Sequence, residues 1–481
     1  MKKILLLVCA FISFEMMTAQ ITFTENTTSG LTGKFQGSID SDGSMIITTG
    51  FVLYSTDTVT FATDVYKMIA GMASLQEDTD LINIHSGFGL VGELGGSNAK
   101  DFAVVGATSK TGDRNPQGRI YLSNSSGGHD MQVIMGVSDA SGFFADLDND
   151  GDDDLVYQGK LASGKGVIYV YRNENGTFIL DWSATDSGRS FGALGYGDID
   201  SDGKIDFISS GITNYSSLKT DAYINTSSGG TLSFTLTTSN PFPGVAGSSH
   251  GLVDLNGDTH FDTIIFGSKG GSNYAGEVCI GNGLNVFTSV GNLPGKTVAA
   301  SAYDDVDEDG DMDVYVLGQL RGGYRSFELY LNDGNANFTL YEFSFPGNLA
   351  DGMIHVMDVD GDGKPDVIYM GSKGNPPFAH GEVYVFHNTT DQRLSINDLD
   401  RLGDITIYPN PASEFININN SSSTQITNIE IYSLAGVKVY SLETDLRNAI
   451  QEVNIQGLAP GIYLLNIRNK ESAKTYRFIK Q

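Results

Sequence analysis

The sequence predicts an all-β chain: a seven-bladed β-propeller followed by a small C-terminal β-sandwich. Three observations predict it. A nine-residue acidic loop recurs seven times, beginning at residues 38, 93, 146, 198, 254, 305 and 358, so that successive copies lie 51 to 56 residues apart. Six copies lead straight into a short apolar run closed by glycine, too short for a helix and apolar enough for a strand buried on both faces. The last eighty or so residues instead alternate apolar and polar positions, as half-buried strands do. Copies at a near-constant period mean a repeat architecture, and a unit of roughly 50 residues, with room for four short strands, has the size of a propeller blade.

Composition agrees. The 481 residues include 59 glycines and, among the aromatics, 1 Trp, 22 Tyr and 26 Phe, a balance suited to short strands and many turns. At 40% hydrophobic residues the chain can bury a sizeable core, and its length suggests more than one domain. Lys and Arg number 29 against 58 Asp and Glu, a formal charge of −29. So acidic a chain repels phosphate backbones, which argues against nucleic-acid and anionic-membrane partners. Two cysteines, Cys9 and Cys279, build neither a disulfide framework nor a thiolate metal site.

At the N-terminus, Met1-Lys2-Lys3 precede a mostly apolar run over residues 4–14 and then Thr18, Ala19 and Gln20. A basic segment, a short apolar segment and a small-residue cleavage zone read as a secretory signal over residues 1–19. Glu15 cuts the run too short for a membrane anchor, and no other segment is apolar for long enough to be a transmembrane helix. Cys9 follows Val8 rather than the small residue of a lipoprotein site. The mature chain then keeps Cys279 alone, in Glu277-Val278-Cys279-Ile280, which reads as a buried strand thiol.

Residues 20–390 hold the repeat. Its clearest copies are residues 146–154, 198–206, 305–313 and 358–366; residues 254–262 form a fifth, with Asn256 third and Thr259 sixth. Two are degraded: residues 93–101 keep only the first and ninth acids, and residues 38–46 keep Asp40, Asp42 and Gly43. A second strand follows in most copies, as in Ile168-Tyr169-Val170-Tyr171 and Leu329-Tyr330-Leu331. An open solenoid needs polar caps at both ends. Here Ile21-Thr22-Phe23-Thr24 precedes the first loop and can complete the last blade, which favours closure.

Oxygen ligands at positions 1, 3 and 5 of a tight loop, glycine at 6 and an acid at 9 can surround one hard cation. Flexible sets of six to eight oxygens favour Ca²⁺, whereas Mg²⁺ wants a stricter octahedron and keeps its water. Without a cation these carboxylates repel one another. The predicted ligands are Asp146, Asp148, Asp150 and Asp154; Asp198, Asp200, Asp202 and Asp206; Asp254, Asn256, Asp258 and Asp262; Asp305, Asp307, Asp309 and Asp313; and Asp358, Asp360, Asp362 and Asp366. Four to five structural Ca²⁺ ions are expected; 19 of the 58 acids stand at ligand positions, and five ions of charge +2 would bring −29 to −19. The loop and its following strand resemble FG-GAP/VCBS repeats, the blades of integrin-alpha-like propellers and of many secreted bacterial proteins. That resemblance, over about residues 21–390, implies a seven-bladed propeller braced by calcium loops and implies no particular ligand.

After a linker over residues 391–401, residues 402–481 carry Tyr408-Pro409-Asn410-Pro411, Leu434-Ala435-Gly436, Leu458-Ala459-Pro460-Gly461-Ile462-Tyr463 and Tyr476-Arg477-Phe478-Ile479-Lys480. In this order they resemble the type A sorting domain of the type IX secretion system. The resemblance implies export by that machinery to a secreted or cell-surface location, with the domain usually removed after the outer membrane is crossed.

No catalytic motif is legible. The seven histidines, among them His85, His250 and His355 shortly before metal loops, form no recognisable zinc motif. Nucleophile-elbow, phosphate-loop and dinucleotide fingerprints are missing. The sequence therefore favours a calcium-binding surface module for adhesion to a glycan or protein. The alternative is a secreted polysaccharide lyase or hydrolase with its site at the channel mouth, and the third reading is a structural surface-layer component. A single tryptophan, Trp182, weakens glycan stacking, although tyrosines can substitute.

Overall fold

The computed structural model describes residues 23–25, 36–39, 45–53, 59–69, 72–76, 81–95, 100–109, 114–185, 188–343, 345, 349–359, 362–373, 380–389, 405–420, 425–433, 438–447, 449–469 and 473–481. The expected signal over residues 1–19 and linker over residues 391–401 lie outside them. The described residues are all-β, with no helix and with every named strand pairing antiparallel. Residues 20–390 form one compact unit and residues 391–481 belong to another.

Among the described residues the larger unit holds seven antiparallel sheets in chain order. Each is built on an antiparallel meander, and the acidic loop leads into the second strand of that meander. The second strands are Met45–Leu53, Asp101–Ala107, Asp154–Lys160, Asp206–Thr213, Thr263–Ser268, Asp313–Gln319 and Asp366–Lys373. These contain the apolar runs expected from sequence, and Asp101–Ala107 is buried at every position. Both faces are covered because neighbouring sheets sandwich each second strand. Leu155 and Tyr157 pack with Phe88, Ala103 and Val105 of the preceding sheet, while Val156 packs with Phe207 and Tyr223 of the next. The core is thus a series of apolar layers between sheets rather than one central cluster.

Contacts pass from each sheet to the next in chain order. They also join Ala350–Met357 of the seventh sheet to Gln36–Ile39 of the first. Phe23–Glu25 pairs antiparallel with His380–Asn388, Phe23 opposite Asn388, so the N-terminal strand supplies the fourth strand of the last sheet. Cys279 lies fully buried on its strand. Trp182 is partly buried between sheets, edge-on to Tyr223 and Phe234.

In the smaller unit a three-stranded sheet contains Phe415–Asn420 and a four-stranded sheet contains Ile426–Ser433. One core joins them, with Ile416, Ile418 and Val453 against Ile429, Ile431, Leu465, Ile467 and Phe478. Alternation predicts Phe415–Asn420 well, where every second residue is buried. It fails at Glu430, which is buried and held by Lys438 at 2.9 Å and by the Tyr432 hydroxyl at 2.8 Å. Two distant sequence motifs meet here: Asn410 accepts from the Ile479 amide at 2.9 Å and donates to the Arg477 carbonyl at 3.1 Å.

Candidate metal centres

The third loop shows the local design. Asp146 folds back over the turn, its carboxylate accepting the amides of Asp150 at 3.1 Å and Gly151 at 3.0 Å. Asp150 accepts the Asp152 amide at 2.9 Å. Gly151 sits at φ +96°, a left-handed conformation that costs other residues strain. Asp154, fully buried at the start of the second strand, accepts the amides of Leu147 at 3.0 Å and Asn173 at 2.8 Å, one on each oxygen. Asp198, Asp202 and Asp206 repeat this pattern in the fourth loop, and Asp305, Asp309 and Asp313 in the sixth.

The folding places positions 1, 3 and 9 together. Carboxylate oxygens of Asp146, Asp148 and Asp154 lie within 4.8 Å of one another, as do those of Asp198, Asp200 and Asp206, and those of Asp305, Asp307 and Asp313. Position 5, at Asp150, Asp202 and Asp309, lies on the exposed turn outside these triplets. The donor set fits a hard cation, because Oδ1 of Asp148 and Oδ1 of Asp200 are buried without a hydrogen-bond partner. Burial pushes the carboxyl pKa of Asp154 and of Asp206 up to about 7 and that of Asp313 up to about 8. Backbone amides oppose this shift and neighbouring loop acids add to it. A divalent cation would supply the missing countercharge.

The fifth loop differs. Asp254 accepts the amides of Gly257, Asp258 and Thr259, and Asp262 those of Leu255 and Gly281. Asn256 turns its amide nitrogen to Asp258 at 3.0 Å. Thr259 stands where the other loops have glycine and makes the same turn at φ +72°, an outlying conformation for a β-branched residue. In the seventh loop Asp358 caps Asp362 and Gly363, and Asp366 accepts from Val359 and Asn388 and also meets His387 at 3.2 Å. Asp360 lies outside the described residues, as do Asp40 and Asp42 of the first loop.

Two features escape the ligand reading of the sequence. In the degraded second loop Asp101 still accepts the amides of Leu94, Gly95 and Ser123 at 2.7 to 2.9 Å. The ninth acid therefore pins a loop to its sheet even where the third and fifth positions have lost their acids. In addition, Asn173, Asn225 and Asn332, each 19 residues after a ninth acid, send side-chain amides to the Leu94, Leu147 and Leu255 carbonyls of the preceding sheet's loop, at 2.8 to 3.0 Å. Asn388 reaches the Val306 carbonyl in the same way at 3.4 Å. An asparagine recurring at fixed distance from the ninth acid was the available signal.

Among the described residues the nearest approach to a catalytic pair is Ser210 Oγ and His250 Nε2, 2.9 Å apart. Both residues are buried, Ser210 wholly, and burial lowers the His250 pKa to about 4. The serine is shared with the Ser248 hydroxyl and the Ala193 amide, so the group joins strands of two neighbouring sheets and presents no nucleophile to solvent. No helix among the described residues is long and apolar enough to cross a membrane.

Comparison with known proteins accords with these repeats. The FG-GAP-like repeat family matches residues 146–209 and 305–369, and the secretion system C-terminal sorting domain matches residues 406–481. No curated protein matches the chain. Among solved structures, Trypanosoma rangeli sialidase in complex with the inhibitor DANA aligns at 9% identity and TM-score 0.39, covering 95% of this chain and 89% of that one. An ancestral GH74 enzyme aligns at 9% identity and TM-score 0.24, covering 93% and 72%. Likenesses this weak carry no argument about fold or function. The matched families do: the chain carries FG-GAP-like repeats and ends in a type IX sorting domain, which marks it for handling by that secretion machinery and for a secreted or cell-surface location.

Proposed function

We propose that this chain is an exported, calcium-braced binding or adhesion module that presents one face of a seven-bladed β-propeller to a glycan or protein. In this reading residues 1–19 are a signal peptide, 20–390 the propeller, 391–401 a linker and 402–481 a β-sandwich sorting domain. Seven sheets in sequential contact, with the last touching the first and completed by Phe23–Glu25, support closure. Two sheets around one core support the sandwich.

The observation that carries the proposal is the repetition of one geometry. Three loops bring the same three aspartates together at the same structural position, with buried, unpartnered Oδ1 atoms on Asp148 and Asp200. A site repeated blade after blade braces a scaffold, whereas a reaction centre needs one place unlike the others. Each ion neutralises a loop and locks the start of a second strand, and the affinity range of extracellular calcium modules, Kd about 10⁻⁴ to 10⁻³ M, suits a chain that folds after export. Metal analysis of the full chain dialysed against millimolar calcium should find four to five Ca²⁺, and chelation should lower its Tm; one ion or none overturns the metal assignment. A glycan and matrix-protein array paired with a polysaccharide depolymerisation screen tests the rest, and turnover would overturn the binding role.

A further inference from the structure

The two ends of the second strands carry opposite charge, and we propose that the end remote from the acidic loops is a binding face for acidic polysaccharide. This rests on the binding-module reading and names its ligand class. In the third to sixth sheets the acidic loop precedes the second strand, and a tight turn follows it. The four turns share one backbone closure: Leu161 N to Lys165 O, Thr213 N to Ser217 O, Lys269 N to Asn273 O and Leu320 N to Tyr324 O, at 2.7 to 2.8 Å. None of residues 161–165, 213–217, 269–273 or 320–324 is acidic, while the loops at the opposite ends of the same strands hold between three and six acids each.

Three of the turns instead place an exposed cation at this end of the sheet, Lys165, Lys269 and Arg321, and the fourth is followed two residues on by exposed Lys219, at the start of strand Leu218–Asn225. The intervening strands of six to eight residues separate these cations from the acidic loops by about 20 Å. That exceeds the Debye length of about 8 Å at physiological ionic strength, so the acids do not cancel the positive field at the turns. The net charge of −29 conceals this face because it averages over both ends. Two of the turns also project tyrosines, Tyr215 at 86% and Tyr324 at 76% exposure. Large exposed rings beside cations match a polymer that offers anionic groups together with apolar sugar faces. Because neighbouring sheets are in contact, adjacent turns form a row of cations along which an extended chain can lie. A double-stranded nucleic acid offers its anions without exposed ring faces, leaving the tyrosines unused.

The test uses the full calcium-loaded chain and four probes: polygalacturonate, dextran sulfate, neutral dextran and duplex DNA. Expected is binding of at least one acidic polysaccharide at 50 mM NaCl and none of neutral dextran. The affinity should fall at least tenfold in the variant Lys165→Glu, Lys219→Glu, Lys269→Glu, Arg321→Glu, whose Tm should stay within a few degrees of wild type because all four side chains are exposed. Tyr215→Ala with Tyr324→Ala should weaken acidic polysaccharide severalfold and leave any DNA binding unchanged. Acidic polymers that fail to bind, or that bind the four-site variant as well as wild type, overturn the proposal. So does DNA binding as tightly as the polysaccharides with equal sensitivity to the tyrosines. If a neutral glycan or a protein on the array binds while the acidic polymers do not, the binding-module reading stands and the ligand class falls.

Discussion

Replacing Asn225 with alanine should separate two sheets without touching a proposed ligand. Its side chain, 1% exposed, donates to the Leu147 carbonyl at 2.9 Å and the Ile205 carbonyl at 3.0 Å, and accepts the Ser227 amide at 2.9 Å. Alanine leaves all three backbone groups without this partner in a buried place. At about 1 kcal/mol for each bond, and more where a buried group stays unsatisfied, the loss is about 3 to 4 kcal/mol. The reporter is built in, because Trp182 is the only tryptophan and stands edge-on to Tyr223, two residues from Asn225, at 5.9 Å across the same sheet boundary. Urea unfolding of the full chain in saturating calcium, followed by tryptophan fluorescence, should give a lower midpoint with bound calcium unchanged at saturation. A loss below 1 kcal/mol would refute the view that these asparagines tie sheet to sheet.

Four further outcomes follow from the geometry. Asp101→Asn should cost about 2 to 3 kcal/mol equally in calcium and in chelator, because it removes amide acceptors from a loop without the ligand set. Asp200→Asn should lower the urea midpoint only when calcium is present. Deleting residues 20–25 removes the three-residue strand paired to His380–Asn388 and should lower stability by about 2 to 3 kcal/mol, read as a drop in Tm; an unchanged Tm would argue against closure. Acidification should act through His250: its folded pKa of about 4 lies below the unfolded 6.5, so the unfolded chain takes up the proton first and stability falls as pH drops from 6.5 towards 4. Relative to His250→Gln, wild type should lose about 3 kcal/mol over that interval in chemical denaturation.

Much of the site was legible in the chain because its chemistry is local. Asp146, Asp148 and Asp154 lie within nine residues, so one turn with glycine at its sixth position brings them together whatever surrounds it. The second strands were equally legible, since burial on both faces demands an unbroken apolar run. What stayed hidden depends on partners far along the chain. Asn173 acts on Leu94, 79 residues away, and nothing in its neighbours marks it as a tie between sheets. The ninth acid looked like a ligand only, because one of the amides it accepts comes from a strand outside the loop. The burial of Glu430 stayed hidden too, because alternation does not register the Lys438 and Tyr432 groups that make it tolerable.

By itself the sequence determined the repeat, its period, the hard oxygen donor sets and the exported character of the chain, since each is written in residues adjacent to one another. Only the tertiary structure decided that asparagines stitch four of the loops to the next sheet and that acids and cations gather at opposite ends of the same strands. The physical reason is range. A turn and its carboxylates are set by the few residues around them, whereas charge segregation and sheet-to-sheet bonding arise when segments some 50 to 80 residues apart are brought side by side.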